Sequence, residues 1–521
     1  MKLKSIFLIL LSVLLSVLSH PTVIGGSTLP NLGFLAWIAW VPLFLVVLPE
    51  SPRKQFYLTF IYGFFFYLGA TYWLYNAMHG FGGLSPLISS LVLLLLSVIL
   101  GAYFAITFLI ASFLNQKVKL SYFISLPILL VAVEWGRTHW PVGGFPWAQV
   151  GYTQYGYLPL IQFADWTGVY GVSALICLVN VYFYELYLKI RKGQKEENKS
   201  FVIKSIFTFT GLLFILIYGQ TRIHQIETLI QKKSPKQVAL VQGNIPQDQK
   251  WSPQWGHQIL STYQRLTRES WFRNVDLVVW PETAYPFDLP FDQENVVREL
   301  LGDFHAPLLF GAVGFDSKHL QIQNPEIIFN SAVLMGQNQA WQFYHKQHLV
   351  PYGEYVPFQQ WLPFLKKLTA QVGQFQPGNE FNLLQINDFK LGSLICYEDI
   401  FPQIARRFVQ SGANLLVNLS NDAWYGNTSA LPQHLSFSTF RAIENRRYLV
   451  RATNTGVTSW VDPTGKIELK LPLFQEGILI AQPKLLEEKS FYSHFGDLFA
   501  YVCLALGALM VLLSCKKNKS K

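Results

Sequence analysis

The chain has 521 residues, of which 51% are hydrophobic and only 14% are charged, and this composition excludes an ordinary soluble protein. The 41 Lys and Arg residues outnumber the 31 Asp and Glu residues, so the formal net charge is +10. The basic clusters lie beside apolar segments, where such residues anchor the cytoplasmic ends of membrane helices. This placement argues against a nucleic-acid partner and indicates a membrane protein.

Several apolar segments are long enough to cross the roughly 30 Å hydrocarbon core of a bilayer. They lie near residues 5–20, 30–49, 57–79, 86–114, 121–140, 163–188, 203–220 and 494–514. The first follows Lys2 and Lys4 as in a signal peptide, but no Ala-x-Ala-like cleavage site follows it, so we expect an uncleaved anchor. The pattern predicts a polytopic α-helical membrane domain of about eight transmembrane helices.

The distribution of Lys and Arg also predicts an orientation. Basic residues occur in the connections near 52–54, 117–119 and 191–195, whereas the connections at 21–29 and 80–85 have none. By the positive-inside rule, the basic connections and both termini face the cytoplasm. We therefore expect three regions: residues 1–221 with transmembrane helices 1 to 7, residues 222–491 as a domain on the outer face, and residues 492–521 with helix 8 and a basic tail.

Residues 222–491 have a different pattern, in which short β-branched runs alternate with more polar stretches of helical character. The predicted strands lie at 237–242, 275–280, 307–314, 328–335, 389–396, 414–418 and 448–462. The predicted helices lie at 253–272, 292–304, 400–412 and 432–447. Strands that alternate with helices predict a layered α/β domain.

Three residues of this region, Glu282, Lys346 and Cys396, each follow a short β-type run. The ends of strands are where α/β folds expose reactive groups. A thiol needs a base to become a thiolate, and the carbonyl that it attacks needs a fixed cation or amide donors for its developing oxyanion. Each residue alone has a commoner structural interpretation, namely a packed thiol, a charge at a helix start and a solvated lysine. Together they supply the groups for acyl transfer through a cysteine.

In this chain order, the three residues resemble the Glu-Lys-Cys triad of the nitrilase superfamily, whose fold is a four-layer α-β-β-α sandwich. Longer motifs resemble the bacterial apolipoprotein N-acyltransferase family, a membrane-bound branch of that superfamily. They lie at residues 241–247, 280–284, 344–346, 349–357, 396–398, 418–425 and 441–447. The resemblance covers nearly the whole chain, because the family also combines membrane helices with one nitrilase-like domain.

The resemblance implies a two-step reaction at a bacterial inner membrane, with the nitrilase-like domain on the periplasmic face. Cys396 attacks an acyl ester of a glycerophospholipid, which leaves a thioacyl enzyme. The α-amine of a diacylglyceryl-cysteine lipoprotein then takes the acyl chain as an amide. In this scheme Glu282 is the general base, and Lys346 stabilises the thiolate and the oxyanion. No metal or cofactor is expected, and the implied partners are the phospholipid donor, the lipoprotein acceptor and membrane lipid.

The resemblance also singles out five further residues: Glu354, Glu398, Tyr397, Trp251 and Asn330. The two glutamates would orient Lys346 or tune the thiol, or they are salt-bridged core carboxylates. The two aromatic residues would contact an acyl chain or lipid, or they pack in the core. The asparagine would belong to the site, or it is only a turn residue.

Two alternatives to the acyltransferase remain open from the sequence. A membrane-tethered nitrilase-like amidase would share the acyl-enzyme but resolve it with water. A receptor or transporter with a degenerate nitrilase-like domain is expected to lack part of the triad, and all three residues are present. The aromatic and basic segment 357–367, with Trp361, Phe364, Lys366 and Lys367, is predicted to dip into the membrane interface.

Overall fold

The structure is a computed structural model that describes residues 3–191, 199–302, 304–315, 328–337, 339–357 and 375–516. The segment predicted to dip into the membrane interface lies, except for its first residue, outside the described residues.

The N-terminal part is a bundle of helices with one short hairpin, β1 and β2. Its elements are α1 Leu3–Ser19, β1 Val23–Ile24, β2 Ser27–Thr28, α2 Val41–Val47, α3 Pro52–Ala70, α4 Pro86–Val118, α5 Tyr122–His139, α6 Leu158–Ile161, α7 Ala164–Thr167, α8 Val169–Arg191 and α9 Lys199–Gln231. Helix α4 begins cleanly because the Ser85 hydroxyl accepts a hydrogen bond from the backbone of Ile88 and Pro86 occupies the first turn. Helices α3 and α4 pack closely at Gly63 and Gly101, where a Cβ on Gly63 would lie 2.9 Å from the Gly101 Cα. Small residues permit such close helix contacts in a membrane bundle.

The α/β domain contains two β-sheets and helices on both sides of them. Its strands are β3 Val238–Gln242, β4 Leu277–Val279, β5 Leu289–Pro290, β6 Leu308–Phe315, β7 Ile328–Met335, β8 Gln342–His345, β9 Leu384–Ile386, β10 Phe389–Ile395, β11 Leu415–Ser420, β12 Leu449–Thr453, β13 Ser459–Val461, β14 Ile467–Lys470 and β15 Gly477–Ala481. Its helices are α10 Gln247–Lys250, α11 Gly256–Trp271, α12 Glu294–Leu301, α13 Pro402–Gln410 and α14 Ala430–Asn445. The chain returns to an apolar helix through α15 Phe491–Phe495 and α16 Leu498–Lys516.

Each sheet has a parallel centre and antiparallel edges. The first sheet has the order β15-β3-β4-β6-β7-β8, with β5 paired to β6, and its β3-β4-β6 centre is parallel. The second has the order β14-β13-β12-β11-β10-β9, and its β10-β11-β12 centre is parallel. Parallel strands end at the same edge of a sheet, so the residues that follow β10, β11 and β12 lie close together.

The two sheets pack face to face with helices outside them. In β3, Val238 and Leu240 belong to the same buried apolar cluster as Leu391 of the other sheet. The alternate residues Ala239 and Val241 pack instead with side chains of α11. Because successive side chains of a strand point to opposite faces, β3 is covered by a sheet on one face and a helix on the other. The predicted α-β-β-α sandwich is confirmed.

The predicted strands and helices of the domain agree with the structure apart from their ends and one division. The segment 448–462 forms two antiparallel strands, β12 and β13, rather than one strand. The edge strands β8, β9, β14 and β15 were not predicted, because short strands with little apolar alternation carry a weak sequence signal.

Helix α14 attaches the second sheet to the membrane helices. The Gln433 side-chain oxygen accepts hydrogen bonds from the indoles of Trp147, at 2.7 Å, and Trp73, at 3.2 Å. Arg446, at the end of α14, forms a buried ion pair of 2.7 Å with Asp165. These contacts hold the second sheet against the membrane helices.

Among the described residues, four helices are long and apolar enough to cross a membrane, namely α4, α8, α9 and α16. The prediction of about eight spans is therefore not confirmed. The predicted segment 30–49 is divided into a 3₁₀ turn, Gly33–Trp37, and the short α2. The segment 163–188 is interrupted at Gly168, whose φ of 63° ends α7 before α8 begins. An apolar run records hydrophobicity but not helix continuity, and this explains why the segment 30–49 does not form one long helix.

Candidate active site

Cys396 lies at the sharp turn that follows β10. Its φ is +50°, in the left-handed region that residues other than glycine seldom adopt, and it begins the 3₁₀ turn Cys396–Ile400. The Asn418 side chain in the neighbouring β11 donates to the carbonyls of Leu394, at 3.1 Å, and Cys396, at 3.2 Å. The turn is therefore fixed on both sides of the cysteine, whose side chain is buried.

Glu282 follows β4 in the other sheet and is held by three donors. One carboxylate oxygen accepts hydrogen bonds from the Asn330 Nδ2, at 2.8 Å, and the Lys346 Nζ, at 3.3 Å. The other accepts a bond of 3.0 Å from the backbone N–H of Asn421, which follows β11 of the second sheet. Glu282 therefore bridges the ends of strands from both sheets.

Lys346 follows β8 and lies between two carboxylates. Its Nζ is 2.8 Å from the Glu354 Oε1 and 3.3 Å from the Glu282 Oε1. The ammonium is 1% exposed, and burial alone would lower its pKa, but the carboxylates of Glu354 and Glu282 raise the pKa above its ordinary value. Lys346 is therefore a permanently charged group at neutral pH.

The Cys396 thiol lies within electrostatic reach of Glu282 and Lys346. Burial raises the pKa of the thiol, the Glu282 carboxylate raises it further, and the Lys346 ammonium lowers it. The net effect is a pKa above the ordinary value, so the resting cysteine is a thiol. It needs a base beside it to become a nucleophile, and Glu282 is the carboxylate with the largest electrostatic effect on the thiol.

Comparisons with known proteins show the family of the chain. A family model described as the apolipoprotein N-acyltransferase N-terminal domain matches residues 12–182, and a carbon-nitrogen hydrolase model matches residues 237–488. A protein of Geobacter metallireducens named apolipoprotein N-acyltransferase is 39% identical over 97% of this chain and 95% of its own. The chain belongs to the apolipoprotein N-acyltransferase family. It is thus an acyltransferase of the carbon-nitrogen hydrolase superfamily and a membrane protein.

The chain is also similar to a second protein of the same name and to a solved structure. A Methylococcus capsulatus protein of the same name is 31% identical over 91% of this chain and 91% of its own. Among solved structures, Nit3 of Saccharomyces cerevisiae, a member of branch 10 of the nitrilase superfamily, is 20% identical, with a TM-score of 0.36, and the match covers 48% of this chain and 90% of Nit3.

Glu354 is a partly buried ion-pair partner of Lys346. One of its oxygens accepts from Lys346 and, at 2.9 Å, from the Asn330 Nδ2. The other oxygen accepts a hydrogen bond of 2.8 Å from the backbone N–H of Val350, which closes the loop from Val350 to Glu354. The contact with Val350 fixes the Glu354 carboxylate, and the carboxylate in turn restricts the position of the Lys346 ammonium.

Glu398 connects the cysteine turn to the lysine strand. One of its oxygens accepts from the Tyr344 hydroxyl at 2.8 Å and from the backbones of Gln347 and His348 at 2.8 and 3.2 Å. The other accepts from the Ile395 backbone at 2.8 Å, one residue before the cysteine. Burial raises the pKa of Glu398 to about 7 even though all four partners are donors that favour the ionised form.

Asn330 lies inside β7, so its interpretation as a turn residue is wrong. Its Nδ2 donates to both Glu282 and Glu354, which places one neutral amide between two like charges. Tyr397 is buried against the rings of His348 and Phe401, with centroid distances of 5.9 and 5.1 Å. Trp251, by contrast, is 53% exposed.

Two features of the site were missed in the sequence. The first is a fully buried charged cluster beside the cysteine turn, in which Arg451 contacts Asp422 at 2.7 Å and Asp399 at 3.2 Å, and His434 contacts both aspartates. Asp422 lies in the motif segment 418–425 and Asp399 directly follows the segment 396–398, which was the only available signal. The second is Lys250, a 5% exposed lysine whose Nζ donates to the Glu282 carbonyl at 2.9 Å. A single lysine before a tryptophan carries no sign of burial.

Proposed function

We propose that this protein transfers an acyl chain from a glycerophospholipid to the α-amine of a diacylglyceryl-cysteine lipoprotein, with Cys396 as nucleophile. The observation that carries the proposal is the Cys396 thiol in one buried cluster with the Glu282–Lys346 ion pair. The family to which the chain belongs supports the nature of the acceptor, since its relatives are named apolipoprotein N-acyltransferases.

The first step forms a thioester. Glu282 takes the thiol proton, and the thiolate attacks the ester carbonyl of the phospholipid. The Lys346 ammonium stabilises the negative charge that passes from sulfur to the carbonyl oxygen, and it is already fixed by Glu354, so little reorganisation is needed. When the tetrahedral intermediate collapses, the C–O bond breaks and Glu282 returns its proton to the leaving lysophospholipid alkoxide.

The second step forms an amide at the same carbon. The free lipoprotein amine attacks the thioester, and Glu282 accepts a proton from the attacking nitrogen. The C–S bond then breaks, and the proton on Glu282 restores the Cys396 thiol. Each group ends in its starting protonation state, so no cofactor is consumed.

In this proposal, the side of the site that faces the membrane must admit two lipid substrates. The loop between α5 and α6 reaches the segment after Lys346, since a Cβ on Gly143 would lie 2.9 Å from the His348 imidazole. In the same loop, the Trp140 side chain is 69% exposed and the Trp147 ring is buried against Phe437 of α14. Exposed Trp251 is placed in this proposal as an acyl-chain or lipid contact rather than a core residue.

The proposed topology follows the sequence prediction. Residues 1–221 and 492–521 hold the membrane helices and residues 222–491 form the catalytic domain. The distribution of basic residues supports a periplasmic position for this domain at a bacterial inner membrane, with both termini in the cytoplasm. No comparison favours the amidase alternative, in which water resolves the thioester, over transfer to an amine.

The test uses the purified full-length protein in detergent with a phospholipid whose acyl chain is labelled. We expect a labelled, hydroxylamine-sensitive adduct that is absent from Cys396→Ala and present in Cys515→Ala, a matched control at an exposed free cysteine. An adduct that persists in Cys396→Ala would contradict the proposed nucleophile.

Addition of a diacylglyceryl-cysteine peptide distinguishes transfer from hydrolysis. We expect the label to move to the peptide as an amide, whereas a peptide with an acetylated amine should leave the thioester in place. Release of free fatty acid at the same rate with both peptides would instead indicate the amidase.

A further inference from the structure

Helix α10 contacts the catalytic base from two directions. At its C-terminal end, the Lys250 Nζ donates to the backbone carbonyl of Glu282 at 2.9 Å. At its N-terminal end, the Gln247 side-chain oxygen accepts a bond of 2.9 Å from the Asn421 Nδ2, and the Asn421 backbone N–H in turn holds the Glu282 carboxylate. One short helix therefore constrains both the main chain and the side chain of Glu282.

The charges at the site leave a role for a second cation. Lys346 is the one ammonium between two carboxylates, Glu282 and Glu354, so its positive charge is already more than balanced before a thiolate forms. Among the described residues, Lys250 donates a hydrogen bond to a neutral carbonyl and forms no direct ion pair that would neutralise its charge. A buried, uncompensated cation is costly unless an anion forms nearby.

We propose that Lys250 is a positioning residue for acyl transfer, which fixes Glu282 through its backbone and supplies the second buried positive charge that a Cys396 thiolate requires. This inference rests on the proposed function only for its effect on turnover. Its effect on the thiol is a property of the protein without substrate.

The electrostatics of Lys250 agree with this role. Burial lowers the pKa of Lys250 to about 8, against the carboxylate of Glu282 and the thiolate of Cys396, which raise it. An interaction between two charges is mutual, so a charged Lys250 that is close enough to be affected by the thiolate favours formation of that thiolate. The other charged or titratable groups that act on the thiol or its neighbours are Lys346, Glu354, Asp422, Arg451 and Tyr425.

The test measures the alkylation rate of Cys396 by iodoacetamide between about pH 6 and 10, read by mass spectrometry on the cysteine peptide of the full-length protein. Below the thiol pKa, this rate reports the thiolate fraction. We expect Lys250→Met and Lys250→Gln to raise the thiol pKa by about one unit and to slow alkylation about tenfold at neutral pH. Lys250→Arg keeps the charge and should stay within about twofold of wild type.

The variants separate the charge from the hydrogen bond. Lys250→Gln can still donate to the Glu282 carbonyl, and it carries the test if Lys250→Met does not fold. Wild-type alkylation in Lys250→Gln would overturn the electrostatic role, whether or not Lys250→Met is slow. Lys390→Met, at a half-exposed surface ion pair with Glu487, is the control and should leave the rate unchanged.

Lys250→Met and Lys250→Gln should also show a fall in kcat for acyl transfer with an unchanged KM for phospholipid, because Lys250 acts on the nucleophile and not on lipid binding. Alkylation needs no lipid, so its result stands apart from that of the labelled-phospholipid experiment. If the wild type forms no thioester, but Lys250→Met is alkylated more slowly than the wild type, the proposed function is refuted and the role of Lys250 stands. Thioester formation with equal alkylation in all variants would do the reverse.

Discussion

Replacement of Glu398 by Gln tests whether this carboxylate positions the nucleophile turn. Three of its four partners are backbone N–H groups, which cannot rotate away. A glutamine offers one oxygen and one NH₂ group, so in either orientation the NH₂ faces a backbone donor. An unsatisfied buried donor costs about 1–3 kcal/mol. Because the Ile395 N–H precedes Cys396, we expect thioester formation to slow between about fivefold and a hundredfold.

The pH dependence of stability gives a second readout for Glu398→Gln. Burial raises the pKa of this carboxyl from 4.5 to about 7. At about 1.4 kcal/mol per pH unit, the difference corresponds to about 3 kcal/mol. The folded state holds this proton more tightly than the unfolded chain, so the contribution is fully present below pH 4.5 and is lost as the pH rises through about 7.

The two assays are single-turnover formation of the labelled thioester and unfolding of wild type and variant across this pH range. Because the glutamine does not titrate, the free energy of unfolding of the wild type should fall relative to the variant by about 3 kcal/mol from low to neutral pH. Glu487→Gln, at an exposed carboxylate, is the control. An unchanged difference across the pH range together with wild-type acylation would refute the reasoning.

Three further predictions concern the contacts around the triad. Asn330→Asp removes the amide donor shared by two carboxylates and places a third carboxylate beside them, so thioester formation should fall at least about a hundredfold. A fall below tenfold would contradict this prediction. Glu354→Gln leaves Lys346 without its closer ion-pair partner and should lower kcat about tenfold with little change in KM, measured by steady-state transfer to the peptide. Arg451→Met removes the guanidinium that pairs with two buried aspartates and should lower the free energy of unfolding by about 3–5 kcal/mol, whereas Arg265→Met, at an exposed pair, should cost less than about 1 kcal/mol.

The sequence was sufficient for the class of protein and for the chemistry of its central residues. Long apolar runs indicate a membrane protein however these runs are divided into helices, because the free energy of burying a side chain in lipid depends on composition. The strands β4 and β10, which Glu282 and Cys396 follow, were predicted from local β-branched runs, since a strand buried on both faces must be apolar along its length. The short edge strand β8 before Lys346 was not predicted. The chain order of the three residues, with the motifs around them, led to the family.

The tertiary structure alone decided which residues support that triad. Glu282 receives its backbone donor from Asn421, 139 residues away, and Lys250 reaches it from a helix that the pattern did not predict. Asn330 of β7 bridges two carboxylates, Glu282 after β4 and Glu354 in the loop after β8, only because the strands of the first sheet are paired in a particular order and register. Such contacts depend on how two sheets pack and where strands end, and neither is encoded in the local pattern of residues. The number of membrane spans could not be predicted for a similar reason, because an apolar run does not specify where a helix breaks.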